Sequence, residues 1–149
     1  MKDYAEIARQ NFLSGMTCAQ AVLCAFEDVT GLDRDAAMRI SASFGGGIGG
    51  RRELCGALAG ALMVLGLLEG WTTPGDGTAK AAHYARTREL AAAFEAREGS
   101  AVCRELLLAA GIDPKTQPEQ RTPEYYAKRP CPRLVAVATG LAAEMTGHA

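Results

Sequence analysis

Apolar residues recur at three- and four-residue intervals through most of this chain and hardly ever alternate one-for-one with polar residues. A 3.6-residue period without a 2-residue one predicts helices and no sheet, so the expected class is all-α. The first helix is expected from Asp3 to Leu13, with Tyr4, Ile7, Ala8 and Phe12 on its apolar stripe, lying as a lid or flank. Thr17 is a good N-cap for a second helix that carries Ala19, Val22, Leu23 and Phe26 and stops near Gly31. Asp33 caps a third, with Ala36, Ala37, Ile40 and Phe44 at helical spacing, ended by the glycine run 45–50.

Cys55 opens a fourth helix that continues through Leu68 although it contains Gly56, Gly60 and Gly66, each costing about 1 kcal/mol relative to Ala. Something must offset that cost. Gly56, Gly60 and Met63 form a stripe on which another helix or a cofactor could approach the backbone, which places this helix at the centre of a bundle. A long helix follows from about Thr78 to Glu98, presenting Ala81, Ala85, Ala92 and Phe94. Ser100 caps a sixth helix over 101–110, and the last starts at Cys131-Pro132 with Leu134, Val137, Ala138, Leu141 and Met145 on one face. Between them Pro114, Pro118, Pro123 and Pro130 punctuate a polar stretch long enough to suggest a segment wrapped over a site, pinned by Tyr125 and Tyr126. The tail 147–149 is expected to fray. The picture is a single domain over 1–149, a bundle of about six or seven helices with a central Gly/Ala-rich one.

The length of 149 residues and an apolar share of 48% suit one domain with a sizeable core. A net charge of −1, with both signs interspersed, gives no footprint for nucleic acid or an anionic membrane. The first residues carry no secretory signal, and the apolar run 54–68 is shorter than the roughly 20 residues of a spanning helix. A cytoplasmic location without membrane insertion is therefore expected. Five cysteines in that compartment would be reduced, which favours thiol chemistry or metal binding over a structural disulfide framework.

Cys18, Cys55, Cys103 and Cys131 each fall on the cap or first turn of a different expected helix. A helix N-terminus offers unpaired N–H groups and about half a positive charge, which stabilises thiolate over thiol. Arg51, Arg52, Arg104 and Arg133 lie near three of them in sequence; they would act in the same direction, although ordinary solvated surface is the plainer account. Cys24 stands about 240° around the helix from Cys18 and reads as a bystander. The run Gly45-x-Gly47-x-x-Gly50 matches a dinucleotide fingerprint but follows a helix and not a strand, and His83 and His148 read as surface histidines.

The segment Cys55-Gly56-Ala57-Leu58-Ala59-Gly60, the Cys18-Ala19-Gln20 opening, the turn from Phe44 to Gly47, Cys103-Arg104-Glu105-Leu106 and Cys131-Pro132 together resemble a four-cysteine family regarded as redox-active, named for its C_GCAxxG_C_C pattern. The resemblance spans most of the chain. It implies redox activity resting on the four cysteines, and a relationship to the helical domain of split-Soret cytochrome c that is associated with an iron–sulfur centre. No C-x-x-C-H haem attachment is present.

Three readings follow. In the first, an oxidoreductase-like reading, the thiols do redox chemistry with an unknown redox partner, Cys55 being the expected low-pKa thiolate and Cys18 its expected close partner. In the second, the same four thiolates hold an iron–sulfur cluster or, less favoured, zinc, with Gly56 and Gly60 allowing close approach of a cofactor. In the third, the glycine helix docks a partner or an identical subunit without catalysis.

Overall fold

A computed structural model describes residues 2–149, and among them the structure is all-α. Local signals in the sequence set most boundaries. Asp3 accepts from the Glu6 amide and starts α1 (Tyr4–Leu13), and Thr17 and Gln20 form a reciprocal capping box that starts α2 (Cys18–Ala25). Helix α2 breaks at Phe26, whose ring stacks on Tyr4 at 4.6 Å, and a single turn, α3 (Glu27–Thr30), carries the chain to a left-handed Gly31. Asp33 caps α4 (Arg34–Ala42). After the short turn α5 (Gly45–Ile48) come α6 (Gly56–Glu69) and α7 (Gly77–Glu98), the latter capped by Asp76. The chain ends with α8 (Cys103–Ala109), α9 (Pro123–Lys128) and α10 (Cys131–Met145).

Helix α1 lies against α10 and α2, and α6 lies against α2 and α10. Phe12, Phe26, Leu58, Leu65, Phe94 and Val135 belong to one buried apolar cluster. Thus α1 is a wall of the bundle, where a lid or flank was expected. Central burial is shared, and the fourth expected helix is not alone at the centre: α2 buries six of its eight residues, α6 eight of fourteen and α10 eight of fifteen. No helix among the described residues is long and apolar enough to cross a membrane.

Other expectations are corrected. Ile40 is exposed and the buried face of α4 is Ala37 and Ser41, while Ala81, Ala85 and Ala92 of α7 face solvent and Leu90 joins Phe94 inside. The sixth helix begins at Cys103 and not at Ala101, because an antiparallel bridge between Leu54 and Val102 holds that segment extended. The tail is docked: the His148 amide donates to the Ala143 carbonyl at 2.7 Å beyond a left-handed Gly147.

The stripe on α6 is filled by a helix. A Cβ at Gly60 would stand 2.8 Å from the Ala19 carbonyl oxygen and 2.9 Å from Val22 Cβ, and one at Gly56 would stand 3.0 Å from the Phe44 carbonyl oxygen and 3.2 Å from Cys18 Cβ. Of the two occupants expected there, α2 takes Gly60, and Gly56 also reaches the cavity described below. Backbone atoms cannot move aside as a side-chain tip would. We therefore expect Gly60→Ala to lower stability by about 1–3 kcal/mol in urea denaturation. Gly66→Ala meets nothing within 4 Å and should raise it by about 0.5–1 kcal/mol. Equal effects of the two changes would refute the close approach.

Candidate functional site

Cys18, Cys55, Cys103 and Cys131 line one cavity of about 340 Å³. Each is brought there by a helix start: Cys18, Cys103 and Cys131 are the first residues of α2, α8 and α10, and Cys55 is the N-cap of α6. All four are free thiols. Cys24 lies elsewhere, buried in the apolar core, where burial raises its pKa.

One wall is the glycine turn. Gly46, Gly47, Ile48, Gly49 and Gly50 all have positive φ, a left-handed turn that costs an L-residue roughly 1–2 kcal/mol. At Gly47 a Cβ would also lie 2.7 Å from both Arg52 Cα and Cys103 Cβ. The turn folds the chain back so that the Arg52 and Glu53 amides donate to the Gly46 and Gly47 carbonyls at 3.1 and 2.9 Å. Arg52, itself at φ 58°, is thereby aimed at the cavity, where its Nη1 donates to Cys103 Sγ at 3.7 Å.

The opposite wall is the proline-rich segment. Arg121 lies 4.6 Å over the Phe12 ring and 5.1 Å over Tyr125, and its guanidinium donates to the Phe12 and Met16 carbonyls. Arg129, only 6% exposed, lies 4.6 Å from the centre of the Tyr125 ring. Tyr126 packs edge-on against Phe12 at 5.8 Å.

These surroundings separate the four sulfurs. The Cys18 thiol donates to Cys131, which, with Arg129, Arg121 and Arg52 nearby, brings the Cys131 pKa down to about 7 against the opposing effect of burial. The same partnership keeps the Cys18 proton in place and pushes that thiol up. Burial drives Cys55 up to about 12 although the Leu58 and Ala57 amides pull the other way. Burial also raises Cys103, with Arg52 opposing. Burial thus opposes the low pKa expected of Cys55, and the thiol whose pKa Cys18 lowers is Cys131. The reason is desolvation: a helix N-cap lined by Gly and Ala offers amides but no full charge.

The α8 start shows the same limit. Its leading amides, Cys103 and Arg104, are taken by the Glu53 and Arg52 carbonyls at 2.6 and 3.0 Å, so they are not free to hold a thiolate. Among the arginines near the cysteines in sequence, Arg52 lines the cavity. Arg51 and Arg133 instead pair with Glu53 and Glu98 at the surface, and Arg104 is exposed. Arg121 and Arg129 were missed by local reasoning, although Arg129 stands two residues before Cys131, as near as Arg133 stands after it, and Arg121 lies in the long proline-punctuated stretch. His83 sits half-buried in α7 with its ring 5.8 Å from Trp71, away from the thiols.

The family model described as "Putative redox-active protein (C_GCAxxG_C_C)" matches residues 16–145. No curated protein and no solved structure matches the chain. Where the pattern's name sets Gly-Cys-Ala-x-x-Gly, this chain has Cys55-Gly56-Ala57-Leu58-Ala59-Gly60; glycine here follows the cysteine, at the position pressed against Phe44 and Cys18.

Alkylation by iodoacetamide, followed peptide by peptide by mass spectrometry, should separate the sulfurs. A lowered pKa means that thiolate prevails above it, so Cys131 modification should rise with pH to a plateau, half-maximal near 7, and fall about tenfold per pH unit below. Cys55, at about 12, should stay unmodified throughout the neutral range. Cys24→Ser should leave the profile unchanged. Modification of Cys55 before Cys131 would reverse the assignment.

Proposed function

Because this chain belongs to the C_GCAxxG_C_C family of redox-active proteins, we propose that it works by dithiol–disulfide exchange, with Cys131 as the attacking thiolate and Cys18 as the resolving thiol. The observation that carries this reading is the gathering of Cys18 and Cys131 in one cavity lined by Arg52, Arg121 and Arg129, with Cys18 and those charges lowering the Cys131 pKa. Exchange needs a nucleophile ionised near ambient pH and a second sulfur within reach, and rates are highest when the attacking thiol's pKa lies close to that pH. Arg129 and Arg121 hold the charge on Cys131. Cys18 keeps its proton until its partner has been consumed, then gives it up as its sulfur attacks Cys131. Cys103, held by Arg52, and the neutral Cys55 stand beside the pair as further sulfurs for reshuffling.

A second reading is favoured by one feature: four sulfurs face the cavity where exchange needs two. Four thiolates are the donor set of an iron–sulfur cluster, and the three lining arginines would balance the negative charge of such a group. Cys18, Cys55, Cys103 and Cys131 would hold it, and it would supply one-electron transfer. Among the described residues no group of three or more His, Cys, Asp or Glu side chains is placed as it stands to hold a metal ion, so a cluster, and zinc still more, would require the four sulfurs to draw together.

Mild oxidation of the reduced protein should give a Cys18–Cys131 linkage in peptide mapping. Cys18→Ser should leave Cys131 alkylation within about threefold of wild type but block the linkage, whereas Cys131→Ser should abolish both. Iron and visible absorbance in anaerobically purified protein, lost on replacing any one of the four cysteines, would instead establish the cluster.

A further inference from the structure

The cavity holds more positive charge than its thiolate requires. Arg52, Arg121 and Arg129 line it together with a single carboxylate, Glu119, so a positive charge remains even when Cys131 is ionised. Arg129 is the least satisfied of them. Its side chain is 3% exposed, and its Nη2 stands 3.0 Å from Glu119 Oε2 in an ion pair whose geometry leaves that nitrogen without a directed hydrogen bond. A buried guanidinium with a free donor is costly unless something accepts from it. The chain as a whole carries a charge of −1, so this surplus is local. Beside the glycine turn, Thr17 and Thr116, much of the wall is apolar or aromatic, including Phe12, Leu106, Leu134 and Tyr125, and the volume of about 340 Å³ suits a small molecule.

We propose that the cavity takes a small organic disulfide bearing a carboxylate or similar anionic group, with the combined positive charge of Arg52, Arg121 and Arg129 drawing in the anion and the disulfide lying against Cys131. This rests on the exchange reading given above. The ligand's apolar body would occupy the Phe12 and Leu134 side while its charged end meets the arginines. That placement brings one ligand sulfur to the attacking thiolate and leaves the other as the leaving group.

The chemistry balances as follows. Cys131 Sγ⁻ attacks one sulfur of the bound R–S–S–R; the ligand S–S bond breaks, R–S⁻ leaves, and a Cys131–S–S–R mixed disulfide forms. Cys18 gives its proton to the first R–S⁻ or to solvent, its sulfur attacks Cys131 Sγ, the S–S bond of the mixed disulfide breaks, and the second R–S⁻ leaves. The protein ends with a Cys18–Cys131 disulfide, and two electrons have passed to the ligand, which departs as two thiolates or, after taking up protons, two thiols. The arginines assist twice, since they bind the anionic ligand and also stabilise the departing thiolate.

Two chromogenic disulfides of opposite character test this on the reduced native protein by stopped-flow absorbance: the dianionic dithiobis(nitrobenzoate) and the uncharged dithiodipyridine. The quantity read is the anionic-to-neutral ratio of rate constants for the fast phase that Cys131→Ser removes, normalised to the ratio for mercaptoethanol. A ratio cancels any change in how much thiolate is present. We expect at least about a tenfold preference for the dianion, the lower end of what a focused positive cleft gives. It should persist at 0.5 M salt, whose screening length of about 4–5 Å weakens surface steering far more than a buried pair. Arg121→Gln should lower the ratio about fivefold or more, and Glu119→Gln, which removes the competing carboxylate, should raise it. Should Arg121→Gln fail to fold, Glu119→Gln alone still decides. A normalised ratio near one, or one that Glu119→Gln leaves unmoved, overturns the anionic-ligand assignment while leaving exchange intact. If neither probe shows a Cys131-dependent phase, the exchange reading itself fails and takes this one with it.

Discussion

Where α2 crosses α6, a single methyl group at position 60 would sit 2.8 Å from a backbone carbonyl oxygen. The two helices are therefore packed backbone to backbone, closer than any side chain would allow, and this contact sets the distance between their N-terminal ends. Cys18 and Cys55 lie at those ends, Cys55 next to Gly56 in the chain and Cys18 Cβ 3.2 Å from where a Cβ at Gly56 would stand. Helix α10 lies against both helices and delivers Cys131 to the same place, and the Leu54–Val102 bridge anchors the start of α8 with Cys103. A cavity lined by four cysteines is thus a consequence of helix approach, with the glycine cost in α6 offset by the packing it permits.

Convergence alone does not make the sulfurs equivalent. Each lies at a helix N-terminus, so the helix dipole favours thiolate at all of them, yet only Cys131 titrates near neutrality. One pKa unit corresponds to about 1.4 kcal/mol, and a dipole contribution of about 0.3–1 kcal/mol is smaller than the desolvation that carries Cys55 up to about 12. What distinguishes Cys131 is a donated S–H from Cys18 together with full positive charges on Arg129, Arg121 and Arg52. Hydrogen bonding and formal charge win where the dipole loses.

Those arginines are held by the least regular part of the chain. Arg121 and Arg129 flank α9 and both lie against the Tyr125 ring, while Arg52 is fixed by the left-handed turn and by donation to the Lys115 carbonyl at 2.7 Å. The proline-rich segment is thereby the cavity's electrostatic wall as well as its cover. Its ordering depends on cation–aromatic contacts worth about 0.5–2 kcal/mol each, so loss of one arginine would both loosen the wall and change the charge on the thiol.

The sequence by itself determined the all-α class, most helix starts through Asp3, Thr17, Asp33 and Asp76, the close-approach face at Gly56 and Gly60, and the placement of four cysteines at helix starts, because caps, helical periodicity and glycine are local signals. It also set Cys24 apart by helical azimuth. What it could not determine was which sulfur is acidic. That depends on Cys18 meeting Cys131 across more than a hundred positions and on Arg121 and Arg129 reaching in from a loop with no periodicity, and it depends equally on how completely Cys55 is dried out by its neighbours. The Leu54–Val102 bridge that delays α8 and consumes its first amides is of the same kind. Hydrogen bonds, charge and desolvation act through space, and only the tertiary structure decides which residues share that space.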